Sequence, residues 1–423
     1  ISLGCSKNLA DSEDLVTALR TVDFQLTKEL PQADLVLVNT CGFIEGAKRE
    51  SIEHILKAAA ERRAGAKLYV AGCLTERYLD DLKRDLPEVD RFVTFADYDR
   101  FAAVVRGDFP DAPQHRLRHD QRSQLTPPHF AFLKIAEGCD NTCNFCAIPL
   151  FRGKHQSVPE AEILKRARLL AARGVQEINV ISQHLDYYGQ DLYGERRLPQ
   201  LVRALGKAAP EAWIRLHYCY PNDFTDALIA AMAETPNCAR YVDMPIQHAS
   251  SRMLAVMGRR TTRAQIEERL AAIRAGIPGV AIRTTFIVGH PGERADDQRE
   301  LLGFLKEQDF AHVGFFPYSD EDGTTAAKMP KKVPARTIAA RLKAAQAVQR
   351  PLHRARQKRW IGREVDVLVD AQRDFGLYAA RHQGQAHEVD SVTFVAAESL
   401  PIGTRVRVRV VGVRGDDLLA QAV

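Results

Sequence analysis

Six apolar runs separated by amphipathic patterns constrain the middle of this chain more than any other feature. They fall at residues 132–136, 175–182, 213–218, 241–246, 281–288 and 312–318. Between them the apolar positions recur at helical spacing over 160–173, 198–208, 223–234, 263–275 and 296–307. A strand that alternates with a helix must return parallel to its predecessor, which builds a β/α sheet. Six units fall short of the eight that close a full barrel, so the spacing predicts an open, partial (β/α) barrel. Its working face is then the rim formed by the C-terminal ends of the strands.

The flanking segments differ in kind. Residues 1–105 alternate strand-like runs (1–4, 34–40, 67–72) with helical patterns (11–20, 45–63, 76–86), predicting a small open α/β domain. Residues 106–128 are polar, carry Pro110, Pro113, Pro127 and Pro128, and read as a linker before a barrel over 129–330. Residues 331–363 hold eleven Lys and Arg and no acid, a basic helical connector expected to break at Pro351. Five Val-rich strands at 364–371, 376–381, 388–395, 405–413 and 418–423 then predict a small β-barrel over 364–423. The fold class is therefore α/β, in about three domains for 423 residues. No run reaches the length of about 18 apolar residues that a membrane span needs. The net charge of +5 by itself selects no partner. The chain opens at Ile1 within a strand-like run, so preceding residues, an initiator Met among them, are expected.

The eight cysteines do not form the dense framework of a small secreted domain, and they read as cytosolic thiols, hence a cytoplasmic protein. Cys139, Cys143 and Cys146 lie within eight residues on the loop after the first barrel strand. A 4Fe-4S cluster normally takes four thiolates, so three would leave one iron open. A zinc site completed by His155 or Asp140 is the alternative, and three inert thiols another. Cys5, Cys41 and Cys73 each follow a strand-like run and precede a helical one, which places all three at the crevice end of an open sheet. They read as a second three-cysteine cluster, or else as ordinary core cysteines. Cys219 and Cys238 have no partner at ligand spacing and read as core. His184, His217, His248 and His290 stand near strand ends, where a histidine is more often structural than functional.

The spacing Cys139-x-x-x-Cys143-x-x-Cys146, with Phe145 before the last Cys and a six-unit β/α pattern behind it, resembles the radical S-adenosylmethionine (SAM) enzymes. With three N-terminal cysteines and a terminal barrel similar to a TRAM domain, the whole chain resembles the methylthiotransferases of that superfamily. Four stretches resemble the branch that modifies a ribosomal protein. They are Leu3-Gly4-Cys5-Ser6-Lys7-Asn8-Leu9-Ala10-Asp11-Ser12-Glu13, Asn39-Thr40-Cys41-Gly42-Phe43-Ile44, Met244-Pro245-Ile246-Gln247-His248-Ala249-Ser250 and Arg283-Thr284-Thr285-Phe286-Ile287-Val288-Gly289. The tRNA-modifying branch usually has Gln-Met-Asn after its first Cys and Gln-Ser-Gly in place of Gln247-His248-Ala249. Ser6 stands where a Pro is common, His184 where an acid is usual, and His290 where an aromatic is frequent.

The resemblance implies two 4Fe-4S clusters and SAM as cofactors. Cys139, Cys143 and Cys146 would hold the SAM-cleaving cluster, and Cys5, Cys41 and Cys73 the auxiliary, sulfur-handling one. Gln183, Gln247, His248 and Arg283 are candidate SAM contacts from their places at strand ends, Arg283 lying early in its strand. The implied activity uses a 5′-deoxyadenosyl radical to take hydrogen from an unactivated carbon, followed by transfer of a methylthio group. The implied acceptor is the β-carbon of an aspartate in ribosomal protein S-twelve of the small subunit, met near ribosomal RNA. An electron donor and a sulfur donor complete the partners, and no membrane is involved. Two other readings remain at this point: the same chemistry on a tRNA adenosine, and a non-catalytic zinc-containing nucleic-acid-binding protein.

Overall fold

The computed structural model describes residues 1–112 and 122–423, so part of the expected linker, Pro113 included, lies outside the described residues. Two compact units are present. The first comprises Ile1–Pro127, Cys146–Lys154 and Ser319–Gly323; the second comprises Pro128–Phe145, His155–Tyr318 and Thr324–Val423. None of the described helices is long and apolar enough to cross a membrane.

In the first unit, β1 (Leu35–Thr40), β2 (Lys67–Gly72) and β3 (Arg91–Val93) form a parallel sheet in the order β1-β2-β3. The strand expected at 1–4 is reduced to a single parallel bridge between Ser2 and Asn39. Two backbone bonds hold it, Leu3 N–H to Asn39 O at 2.9 Å and Asn39 N–H to Ile1 O at 2.8 Å. The reason is that helix α1 (Ser6–Arg20) begins five residues before the periodicity suggests, with Cys5 as its N-cap. Helices α2 (Glu45–Glu61) and α3 (Cys73–Asp85) follow β1 and β2, and α3 carries an irregular turn at Tyr78. Strand β3 is too short for any two-residue period to register, and α4 (Phe101–Asp108) runs into the stretch read as linker.

The second unit contains the six expected strands: β4 (Phe130–Lys134), β5 (Glu177–Ile181), β6 (Trp213–Leu216), β7 (Cys238–Asp243), β8 (Ala281–Val288) and β9 (His312–Pro317). Every neighbouring pair is parallel, in the order β9-β8-β7-β6-β5-β4, and the two outer strands do not meet. All five residues of β5 are buried, as expected of a parallel strand covered on both faces. Helix boundaries follow local chemistry. The pattern at 223–234 becomes Asp226–Glu234 because the Thr225 hydroxyl caps it, accepting the Leu228 N–H at 3.2 Å.

The connector is one helix, Ala335–Lys358, and it continues through Pro351 rather than breaking there. Contacts beyond the proline anchor its last turns. His353 Nδ1 lies 3.0 Å from Ala311 O, His353 Nε2 lies 3.0 Å from Asp416 O, and Gln357 Nε2 donates to Ser391 Oγ at 2.8 Å. The last five strands, β10 (Glu364–Asp374), β11 (Leu377–His382), β12 (Thr393–Ala396), β13 (Arg405–Arg414) and β14 (Asp417–Ala422), close into a barrel in the order β10-β11-β12-β14-β13. Val367, Val369, Tyr378, Val395, Val408 and Ala420 fill its centre.

The strand expected at 388–395 starts only at Thr393, because the preceding loop reaches under the six-stranded sheet. Gln383 O accepts from Arg215 Nη1 at 2.7 Å, Gly384 O lies 2.7 Å from His312 Nε2, and Asp390 accepts from the Tyr241 hydroxyl at 2.7 Å. Beside it, the fully buried Glu177 receives Arg215 Nε and Arg381 Nη1, each at 2.5 Å. Arg381 also grips Asp370 at 2.7 and 3.0 Å. Burial opposes the charge on Glu177, but the two guanidinium groups outweigh it and hold the carboxyl down to about 2.

Replacing Glu177 by Gln should therefore cost about 3–5 kcal/mol at neutral pH, since two cations are left buried beside a neutral amide. The two tryptophans of the chain, Trp213 and Trp360, both lie in this unit, so their fluorescence during denaturant unfolding reads the change. A depressed carboxyl stabilises the fold above its ordinary value, about 4.3, and that contribution is lost as pH falls through the folded value. The gap between the two proteins should thus close between pH 4.3 and about 2; a constant gap would show that the charge of Glu177 is not responsible.

Candidate cluster and cofactor site

Each N-terminal cysteine stands where a strand or its bridge gives way to a helix. Cys5 caps α1, Cys41 follows β1, and Cys73 is the first residue of α3. Glycine allows the loops carrying them to approach. Gly4 adopts φ +86, and a Cβ there would lie 2.6 Å from Cys41 Cβ and 2.9 Å from its Sγ. Gly72 adopts φ +96, and a Cβ there would lie 2.3 Å from Thr40 O. The Ser51 hydroxyl fixes the Cys41 turn, bonding its N–H and its C=O at 3.0 Å each.

Cys41 and Cys73 are buried and Cys5 is exposed. Burial pushes the Cys73 thiol up to about 12; Arg152 works against this, while Cys5 and Cys41 are near enough to add to the rise. Burial likewise raises Cys41, with Cys5 adding to it. Two buried thiols that resist ionisation by themselves suit a polycationic iron cluster, which deprotonates its ligands on binding. Among the described residues no group of three or more His, Cys, Asp or Glu side chains could hold a single metal ion. A four-iron cluster, whose ligands stand farther apart, does not require that spacing.

At the rim of the six-stranded sheet the structure organises the 139–146 loop through residues distant in sequence. Asn141 N–H points at Cys139 Sγ at 3.4 Å, and its side-chain amide lies 3.0 Å from His184 Nδ1. The other face of that ring, Nε2, is 2.8 Å from Asp223, which Arg196 also holds at 2.6 Å. Burial works against the charge on His184, but its bonds to Asp223 and Cys139 raise it to about 9. Arg259 Nη1 lies 3.9 Å from Cys143 Sγ while its Nη2 donates to Pro245 O at 2.7 Å. Asn144 meets His290 Nε2 at 2.9 Å and donates to Val256 O at 2.5 Å. Cys139 and Cys143 belong to the second unit, and Cys146 opens the short stretch that belongs to the first.

The four candidate SAM contacts do not share one environment. Gln183 follows β5 and donates its amide to Glu137, leaving its Oε1 buried and unpartnered. Gln247 sits at φ +74, paired through its backbone with Thr285 and Ile287 at 2.8 Å each, and its Oε1 is also buried and unpartnered. Two orphaned acceptors beyond the ends of β5 and β7 fit ligands that bring N–H or O–H donors, as SAM does. His248 is fully buried, accepts the Ser250 N–H at 3.0 Å on Nδ1, and is pushed by burial down to about 4, so it is neutral.

Arg283 is engaged in ion pairs. It is the third residue of β8, opposite Asp243 and His312, and it is committed to Asp243 at 3.0 Å and Asp390 at 3.3 Å. That places it in an ionic network between the last residue of β7 and the loop that precedes β12. His217 is similarly occupied, with Nε2 2.9 Å from Asn179. The residues not anticipated from sequence are Arg152, Arg259, Asn141, Asn144 and Glu137. The two asparagines lie inside the cysteine motif, but the arginines have no spacing that ties them to a cysteine.

Known families match three segments of this chain. Residues 1–94 match the model described as uncharacterized protein family UPF0004, residues 133–305 the radical SAM superfamily, and residues 361–423 the TRAM domain. The chain is 41% identical over 437 aligned positions to the ribosomal protein uS12 methylthiotransferase RimO of Symbiobacterium thermophilum, covering 100% of this chain and 90% of that protein. It is 42% identical to the RimO of Anaeromyxobacter sp. strain K, covering 100% and 92%. Among solved structures, the radical SAM methyltransferase TsrM of Kitasatospora setae superposes with a TM-score of 0.55 at 14% identity, covering 73% of this chain and 69% of that one, a likeness of fold. Identity at this level over the whole length, together with all three matching segments, means that the chain belongs to the RimO family of radical SAM methylthiotransferases.

Proposed function

We propose that this protein places a methylthio group on the β-carbon of an aspartate in ribosomal protein uS12 of the small subunit. The observation that carries the reading is the presence of two separate three-cysteine sets, one at the crevice of the N-terminal sheet and one at the rim of the partial barrel, in a chain of this family. Cys139, Cys143 and Cys146 hold one 4Fe-4S cluster and Cys5, Cys41 and Cys73 the other. Bound together, the clusters and SAM supply hydrogen abstraction from a carbon that no side-chain base could deprotonate, and the methylated sulfur that replaces the hydrogen.

The chain's own residues bind and aim. Asn141 and His184, braced by Asp223, fix the loop that carries Cys139, and Arg259 holds a donor beside Cys143. The orphaned oxygens of Gln183 and Gln247 accept bonds from SAM, and the neutral Nε2 of His248 completes that side. Arg283 takes a structural role. An electron donor and a sulfur donor complete the reaction. The connector helix spends Arg341 on Glu293, Arg354 on Asp416, and Arg356 and Arg359 on Asp309, while Lys343, Arg350 and Lys358 are exposed. Those exposed cations suit ribosomal RNA beside uS12 and give a salt-dependent attraction. The division of labour follows residues 1–105, 129–330 and 364–423, joined by 106–128 and 331–363.

Anaerobically reconstituted protein should hold roughly eight irons, and each triple Cys-to-Ala variant roughly four. The variant lacking Cys139, Cys143 and Cys146 should form no 5′-deoxyadenosine. The variant lacking Cys5, Cys41 and Cys73 should still form it and yet transfer no sulfur. Wild-type thiolation by the latter would remove the N-terminal site from the reaction.

With SAM and a reductant, mass spectrometry should find one methylthio group on an aspartate of uS12 and none on isopentenylated tRNA. Methylthiolated adenosine with unmodified uS12 would move the protein to the tRNA reading.

A further inference from the structure

Arg152 is a cation with 2% of its side chain exposed, six residues after Cys146 and within the first unit. It directly follows the short Ile148–Phe151 helix, whose Phe151 lies against Cys73. Its Nη1 donates to Asp11 Oδ2 at 2.9 Å, and its Nη2 reaches Asn8 Oδ1 at 3.4 Å and Cys73 Sγ at 3.1 Å. The guanidinium carbon stands 4.7 Å from the centroid of the Phe95 ring. Asp11 and Asn8 both belong to α1, the helix that Cys5 caps, while Cys73 opens α3.

A buried guanidinium must be paired to be tolerated, and Asp11 meets that need. The contact with Cys73 is more than neutralisation requires. A planar fork held by a carboxylate on one nitrogen and by an aromatic face beneath has little freedom left, so the other nitrogen is aimed rather than merely near. Its target is the most deeply buried of the three N-terminal thiols.

We propose that Arg152 is a positioning residue of the N-terminal cysteine site, whose fixed N–H bond to Cys73 Sγ stabilises electron-rich sulfur there and raises the reduction potential of the bound cluster. The inference rests on the reading that Cys5, Cys41 and Cys73 hold a 4Fe-4S cluster. Hydrogen bonds to ligand sulfurs are one of the levers that set such potentials, because the donor stabilises the more negative, reduced form more than the oxidised one. The loop that contributes Cys146 thereby also contributes the residue that tunes the other cysteine set.

The test uses the full chain with Cys139, Cys143 and Cys146 replaced by Ala, so that only the N-terminal cluster is reconstituted. Its midpoint is followed by redox titration with electron paramagnetic resonance, alongside iron content, for this parent and for its Arg152→Gln and Arg152→Lys forms. Both substitutions should retain about four irons and shift the midpoint to more negative potential, Gln more than Lys. A lone ammonium cannot serve Asp11 and Cys73 with the same fixed fork, so Lys does not restore the parent value. An unchanged midpoint in whichever variant is iron-replete would overturn the inference and leave Arg152 a structural partner of Asp11. Loss of iron from both variants, with the parent replete, would also overturn it, since Arg152 would then hold the site together rather than tune it. A parent that binds no iron would instead overturn the cluster assignment itself.

Discussion

Parallel strand pairing is the constraint on which the rest depends. When neighbouring strands all run the same way, every strand-to-helix loop leaves from one end of the sheet. In the first unit that end collects Cys41 and Cys73, and the bridge from Ser2 to Asn39 brings Cys5 to the same end. In the second unit it collects the loop over 139–145, Gln183 and, past the end of β7, Gln247. Thiols far apart in the chain therefore become neighbours without any pairing signal of their own.

Buried charge also orders the six-stranded sheet. Glu177, Arg215, Arg381 and Asp370 form one network, and Asp243, Arg283 and Asp390 another. Isolated, each of these ions would be costly to bury, so each fixes the position of its partner. Arg381 and Asp390 come from the terminal barrel and its loop, which is why that barrel forms one compact unit with the sheet. The same demand holds Arg283 between Asp243 and Asp390.

Around the cysteines stand cations and amide donors, which would offset negative charge on sulfur. Arg152 reaches Cys73, Arg259 approaches Cys143, and Asn141 turns its N–H to Cys139. Each donor is itself held by a second contact, through Asp11, Pro245 O or His184 respectively. Such bracing keeps the donors aimed as the charge on the sulfurs changes.

The strand and helix alternation, the six-unit count, the terminal barrel and the position of six cysteines just after strand-like runs were legible in the sequence, because each is written in local periodicity. It placed Gln183 and Gln247 at strand ends for the same reason. Tertiary structure decided what periodicity cannot encode. Pro351 stays inside a helix because His353 and Gln357 are anchored beyond it. The strand before Thr393 gives way to a loop because Asp390 answers Tyr241 and Arg283. Arg152 meets Cys73, and Arg259 approaches Cys143, across 79 and 116 residues of chain. A long-range contact depends on where whole elements pack, and an arginine's local spacing carries no record of which buried group will receive it.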